Sequence, residues 1–372
     1  MLQRRVRDVS HVPMGRSRSR AGAPIERSGA FLRARPMRIP LLALLLSGAL
    51  SSACGPAPDL VVYCSLDQEF ADELMKRFEQ ESGLRLRVEY DTEANKNVGL
   101  ASRIREERAH MRCDVFWSNE SAQMVSLADD GLLEPYASPS AAGIPAAFRD
   151  RDHRWTGFAA RARIFIVNTE LADPGEICSM WDLFDPRWTG RVAMASPLAG
   201  TTSTHMAALF VVLGEAEGRR YLETAARLAQ EGELRLVTGN AHVMRMVREG
   251  QCAFGWTDTD DFNVAREQGY PVEAVYPDQE GPGALLIPNT IGVLTGAPHP
   301  EAARRFVDWT LRPAIEAELA FSRSAQIPVR ADVARPEHVV DPGSLRTMAV
   351  DLAAVGAQIE DRIAGFQELF LK

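Results

Sequence analysis

From Asp59 onward, short apolar runs alternate with stretches of helical periodicity, and that alternation restricts the chain to a parallel sheet covered by helices. "DLVVYC" (59–64) reads as a buried strand that stops at Cys64. In the following "DQEFADELMKRFEQES", Phe70, Leu74 and Phe78 share one helical face, and Gly83 closes the helix. "LRLRVEY" (84–90) alternates apolar and charged residues, as a strand with one face more exposed does. A polar helix near Asn95 to His110 leads into "CDVFW" (113–117), and a helix near Gln123 to Asp130 ends in "GLLEPY". Near "WTGFAARARIFIVN" (155–168) the chain is expected to cross into a second lobe. That lobe has its own units: "GRVAMASP", the helix after Gly200, "ELRLVTGN", the helix "AHVMRMVREG", and "CAFGWTD". The return strand "ALLIPNTIGVL" (284–294) precedes a helix with Pro300 in its first turn. The expected division is a leader over 1–53, a first lobe over 59–158 resumed over 285–330, a second lobe over 159–284, and a helical C-terminal segment over 331–372.

The leader differs from the rest. Its 53 residues hold ten Arg against Asp8 and Glu26, and taking that excess of +8 from the chain's −8 leaves about −16 on the body. An acidic body argues against nucleic acid or an anionic membrane surface as partner. Within the leader, Met37 and Arg38 precede "IPLLALLLSGAL", too short an apolar run for a stable bilayer span and ordered like an export signal, and Met37 is the expected start. Cys54 after "SSA" resembles a lipobox cysteine that becomes acylated, although Ser51 stands where Leu is usual. Plain secretion is the alternative. The expected location is therefore periplasmic or cell-surface, with Cys54 as the lipidation site. Cys64, Cys113, Cys178 and Cys252 show no CxxC and no zinc spacing, and an exported protein permits disulfides among them without requiring any.

In open parallel sheets, ligands collect beyond the carboxyl ends of the strands. Those positions hold Ser65 and Asp67, then Asp91 and Glu93, then Ser118, Asn119 and Glu120. Farther along they hold Gly200, Thr201, Thr202, Ser203 and Thr204, then Asn240, then Thr257 with Asp258, Asp260 and Asp261. "SPLAGTTSTH" sets a Gly and hydroxyl residues at a helix start, where free backbone N–H groups suit an oxyanion. The carboxylates suit a hard cation or an amine instead. Simpler roles stand beside these: Asp67 as the helix N-cap with capping-box spacing from Ser65 to Gln68, and Ser203 or Thr204 as an N-cap. Phe116, Trp117 and His205 read first as core residues, and Trp256 reads equally as core or cleft. Of Arg161 and Arg163, one faces the cleft or both serve a hinge salt bridge. Asn289 either touches ligand from the hinge or caps the return strand.

The body resembles the bacterial extracytoplasmic solute-binding proteins of ABC importers, in the branch labelled ferric-iron binding. The resemblance runs from about Asp59 to Arg330 through "VVYCSLDQEFADELMKRFEQESG", "YDTEANK", "CDVFWSNE", "LFDPRWTGRVAMASPLAGTTSTH", "FGWTDTDD", "GAPHPEAARRFVDW" and "QIPVR". It implies an α/β fold of the type II periplasmic-binding-protein kind: two α/β lobes with a strand hinge, a solute held between them, and delivery by a monomer to ABC permease subunits. It also implies ferric iron with a synergistic anion at the Gly200 helix start, and of the strand-end carboxylates Asp67, Glu93 and Asp258 are the metal candidates. The adjacent tyrosine pair usual in ferric-binding relatives is absent, and "FGWTDTDD" stands in the comparable stretch. A phosphonate such as an aminoalkylphosphonate, or a sugar phosphate, would satisfy the same two sets of groups, and a ligand-sensing partner of a receptor, presenting the closed lobe pair to a sensor, is the alternative from another class. Catalysis is not expected, since GxSxG, HExxH, SxxK, GxGxxG and P-loop patterns are missing.

Overall fold

The computed structural model describes residues 57–91 and 98–371. The leader, Cys54 and Glu93 lie outside the described residues.

The strands are β1 (Leu60–Cys64), β2 (Leu86–Tyr90), β3 (Val115–Ser118), β4 (Leu133–Glu134), β5 (Thr156–Asn168), β6 (Val192–Ala195), β7 (Leu234–Val237), β8 (Phe254–Asp258), β9 (Val272–Val275) and β10 (Leu286–Leu294). The helices are α1 (Gln68–Ser82), α2 (Val98–Glu106), α3 (Ala122–Asp129), α4 (Gly200–Leu213), α5 (Glu215–Gln230), α6 (Asn240–Arg248), α7 (Thr259–Glu267), α8 (Pro300–Thr310), α9 (Pro313–Phe321), α10 (Leu352–Gly356) and α11 (Ile359–Phe370). The sheet runs β2-β1-β3-β10-β5-β8-β6-β7, with β4 beside β10 and β9 beside β5. One flank, β2-β1-β3, is parallel, and so is the other, β8-β6-β7. Between them β5 and β10 run antiparallel to each other and to their outer neighbours. β1 and β3 are wholly buried, as continuous apolar runs between helix layers must be. β2 is half-exposed because it is the sheet edge, which accounts for its alternating sequence.

Local signals act where expected. Gly83 caps α1 in the left-handed conformation at φ 72°, and Pro300 opens α8. The helix expected over 95–110 is shorter, ending at Glu106 and tightening into a 3₁₀ turn over Glu107–Ala109. The C-terminal segment packs back on the body: α10 lies against α3 and α4, and α11 against α3, α4 and α5. None of Cys64, Cys113, Cys178 and Cys252 forms a disulfide.

The crossing strands carry one irregularity. Pro288 pairs with Ala160 and Asn289 with Phe158, so Ala159 is an extra residue, at φ 40°. Pro288 has no N–H to donate, and Ala160 instead exchanges two 2.7 Å hydrogen bonds with Ile327. The bulge lies in the crossing strand and the return strand, the two that join the expected lobes.

Across the second flank, Gly255 of β8 sits so close to β6 and α6 that a Cβ there would stand 2.5 Å from the Ala193 carbonyl oxygen and 2.6 Å from Val243 Cγ1. The obstacle on one side is backbone and cannot swing away. Gly255→Ala is therefore expected to destabilise the fold by about 1–3 kcal/mol, read as a lower urea midpoint at unchanged slope.

Candidate functional site

A cavity of about 210 Å³ opens at the carboxyl ends of several strands at once. The segment after β1 brings Asp67, Glu69 and Phe70 to its wall, the end of β3 brings Asn119, and β5 brings Arg161. From the other side come Gly200, Thr201 and Thr202 of α4, Asn240 and Arg245 of α6, and Asp258, Asp260 and Asp261 at the start of α7. Its charged lining is five carboxylates against two guanidiniums.

Four helices, α1, α4, α6 and α7, begin at this cavity, with Asp67, Ala199, Gly239 and Asp258 at their N-cap positions. None of the four makes a side-chain cap hydrogen bond. Asp351 caps α10, and Glu120 receives the Ala122 and Gln123 amides at the start of α3, while α5, α8, α9 and α11 also start without a side-chain cap hydrogen bond, so what marks the four is that they converge on one cavity. Four helix starts add roughly half a positive charge each, so they offset about two of the lining carboxylates.

Asp258 organises the second side. Its Oδ1 accepts from Arg163 Nη1 at 2.6 Å, and its Oδ2 accepts from the Thr201 hydroxyl at 2.6 Å and Asn240 Nδ2 at 3.1 Å. Arg161 Nη1 stands 3.6 Å from the same oxygen. Burial pushes the Asp258 carboxyl up, but the charges of Arg163 and Arg161 and the Thr201 hydroxyl outweigh it and leave its pKa below the ordinary value. Arg163 also donates from Nε to His205 Nδ1 at 3.4 Å. Burial and the Arg163 charge hold His205 neutral, well below its usual pKa, so Nδ1 is the acceptor and Nε2 carries the proton.

Of the residues singled out from sequence, Asp67, Asn119, Arg161, Gly200, Thr201, Thr202, Asn240, Asp258, Asp260 and Asp261 meet at the cavity. The remaining described candidates are not part of its lining. Glu120 accepts from the Thr204 hydroxyl at 2.6 Å, so these two engage each other across the cleft. Ser118 Oγ accepts from the Glu120 amide, and Ser203 turns back to the Gly200 carbonyl. Neither Ser203 nor Thr204 is the N-cap of α4. Thr257 donates to Asp261 at 2.9 Å. Ser65 is buried beside β3, its amide bonded to the Trp117 carbonyl. Asn289 is buried in the hinge, where it donates to Gln326 Oε1 at 2.7 Å and to the Ala159 carbonyl and accepts from Trp117. Trp256 belongs to the core: its ring centroid lies 4.0 Å from that of Phe165, and its Nε1 donates to Tyr221. Glu69 and Arg245 complete the charged lining beyond the residues put forward from sequence.

Residues 73–347 match the family model described as bacterial extracellular solute-binding protein. The chain belongs to that family. This solute-binding protein is 26% identical over 341 residues to iron uptake protein A1 of Synechocystis sp., covering 84% of this chain and 91% of that one. Its structure superposes on iron-bound HitA from Pseudomonas aeruginosa with a TM-score of 0.75 at 22% identity, covering 83% of this chain and 98% of HitA. AfuA from Actinobacillus pleuropneumoniae, with fructose-6-phosphate bound, superposes with a TM-score of 0.73 at 22% identity, covering 84% and 98%. Those likenesses bear out the type II periplasmic-binding fold that the resemblance implied. Among the described residues no helix is long and apolar enough to cross a membrane.

Proposed function

We propose that this solute-binding protein serves an ABC importer and that its solute is ferric iron carried together with an oxygen-rich anion. One observation carries the reading: five carboxylates and the starts of four helices whose N-cap residues make no side-chain cap hydrogen bond line the same cavity. Carboxylates favour a hard cation, and the helix starts favour the anion that accompanies it. The relative named for iron uptake supports the cargo.

In this scheme the flanks rotate about the β5/β10 bulge until both polar walls meet the solute, water leaves, and the closed surface is presented to the permease. Export by the leader, acylation of Cys54 and action as a monomer complete the proposal, and the chain binds without catalysing.

A second reading has its own support. Among the described residues neither tyrosine, histidine nor cysteine lines the cavity, and no group of three His, Cys, Asp or Glu is placed to hold a metal ion unaided. An organic phosphate or phosphonate bearing an amine or hydroxyls would occupy the same two walls.

Thermal unfolding of the purified chain tests both. Ferric citrate, ferric phosphate, other metal salts, fructose 6-phosphate and 2-aminoethylphosphonate are added singly, and a true ligand at a hundred times its Kd stabilises by about 2.7 kcal/mol. A chelator-reversible rise with the ferric complexes is the expected result. A rise with the organic phosphates alone replaces iron with the second reading.

A further inference from the structure

We infer that Arg161 is the residue that selects the solute, by receiving an oxyanion that the solute carries. The inference rests on the importer reading above and adds to it the chemical group that must enter the cavity and the side chain that reads it.

Arg161 is 3% exposed, and what is exposed of it lines the cavity. It lies on β5, the crossing strand, so it touches both flanks: Nη2 donates to the Asn119 carbonyl at the end of β3, and Nη1 donates to Asp260 at 3.4 Å and stands 3.6 Å from Asp258. Those two ion pairs are long. Arg163, two residues on, closes on Asp258 at 2.6 Å and takes Thr201, Thr202 and His205 as well. Asp258 is thus engaged by Arg163, Thr201 and Asn240, and Arg161 is its fourth and most distant neighbour.

The Nε of Arg161 has no hydrogen-bond partner. A guanidinium carries five donors in a planar fork, and a buried one is ordinarily satisfied. Burial disfavours its charge, while Asp260, Asp258 and Asp67 together keep it protonated, so it meets the cavity as a full cation with donors to spare. A phosphoryl or carboxylate group would take two of those donors side by side and let the long ion pairs relax. A lysine would keep the charge and lose the fork.

Two sources of that oxyanion are distinguishable: the chelating anion of a ferric complex, or the phosphoryl group of an organic solute. The test is isothermal titration of the full chain and its Arg161→Lys and Arg161→Gln variants. The probes are ferric citrate, inorganic phosphate, fructose 6-phosphate and 2-aminoethylphosphonate, with fructose, ethanolamine and unchelated ferric ion as counterparts without the oxyanion. Urea unfolding of each variant is run alongside, and Arg161→Lys keeps the cation opposite Asp258 and Asp260 if Arg161→Gln fails to fold. The expected result is a loss of about 10- to 100-fold in affinity for the oxyanion-bearing probe in Arg161→Lys, with at most a threefold change for its counterpart. An Arg161→Lys variant that binds every probe like the wild type, or loses all of them equally, overturns the inference. A wild type that binds ferric ion with no anion also overturns it, and leaves the importer reading standing. A wild type that answers to no probe overturns both.

Discussion

Asp258→Ala is expected to lower folding stability by about 3–5 kcal/mol, because it strands buried guanidiniums. The Arg163 side chain is 0% exposed and the Arg161 side chain 3% exposed, and Asp258 is the carboxylate nearest to Arg163. The Thr201 hydroxyl and the Asn240 amide lose their acceptor in the same step. Asp258→Asn keeps the shape and one acceptor, but it removes the charge and is expected to recover only a minor part of the loss. The companion Asp258→Leu with Arg163→Met, which deletes both ends of the short pair, should be milder than Asp258→Ala alone. The pH dependence follows from the lowered pKa. Stability contributed by Asp258 is complete above the unfolded value of 3.8 and fades as pH falls through the lower folded value. Urea unfolding at pH 7 and pH 3 reads all of this. An Asp258→Ala unfolding free energy within about 0.5 kcal/mol of wild type at pH 7 would sink the account.

The elements were legible because their causes are local. A buried parallel strand must be a continuous apolar run, as "LVVYC" and "VFWS" are, and glycine or proline marks helix ends at Gly83 and Pro300. The rule that ligands collect at strand ends then brought nine of the proposed residues to one cavity. What it could not supply was the pairing among them. Thr204 and Glu120 are 84 residues apart, and nothing local says that one will occupy the other's oxygen. Arg161 and Arg163 stand two apart on β5, so a regular strand puts both on one face. That parity was the available signal for a shared partner, and Asp258, 95 residues beyond Arg163, is that partner. Trp256 was balanced between core and cleft because its indole N–H needs an acceptor in either setting. Tyr221, on α5, provides it and settles the ring in the core.

The hinge gives the other large effect. Glu316→Ala is expected to cost about 3–5 kcal/mol, since Glu316 and Arg330 have side chains each 1% exposed and form a 2.8 Å pair. The carboxylate does more than balance a charge. Its Oε1 accepts from the Ala159 amide at 2.9 Å and the Val329 amide at 2.7 Å, tying the bulged residue of β5 to the segment that returns beside it. Ala159 is held at φ 40°, a conformation an alanine adopts at a cost of order 1 kcal/mol, so its amide must have a fixed acceptor to stay there. Asn289 supplies the matching hold by donating to the Ala159 carbonyl. Arg330 keeps the Ser140 and Leu311 carbonyls at 2.6 and 2.8 Å after the substitution, so its remaining charge is partly solvated by protein dipoles. That solvation predicts a split: Glu316→Gln, which retains an oxygen for one amide, should lose clearly less than Glu316→Ala, and Glu316→Ala with Arg330→Met should recover part of the loss. Equal losses for Glu316→Gln and Glu316→Ala would mean that charge alone matters and that the amides of the bulge do not depend on this carboxylate.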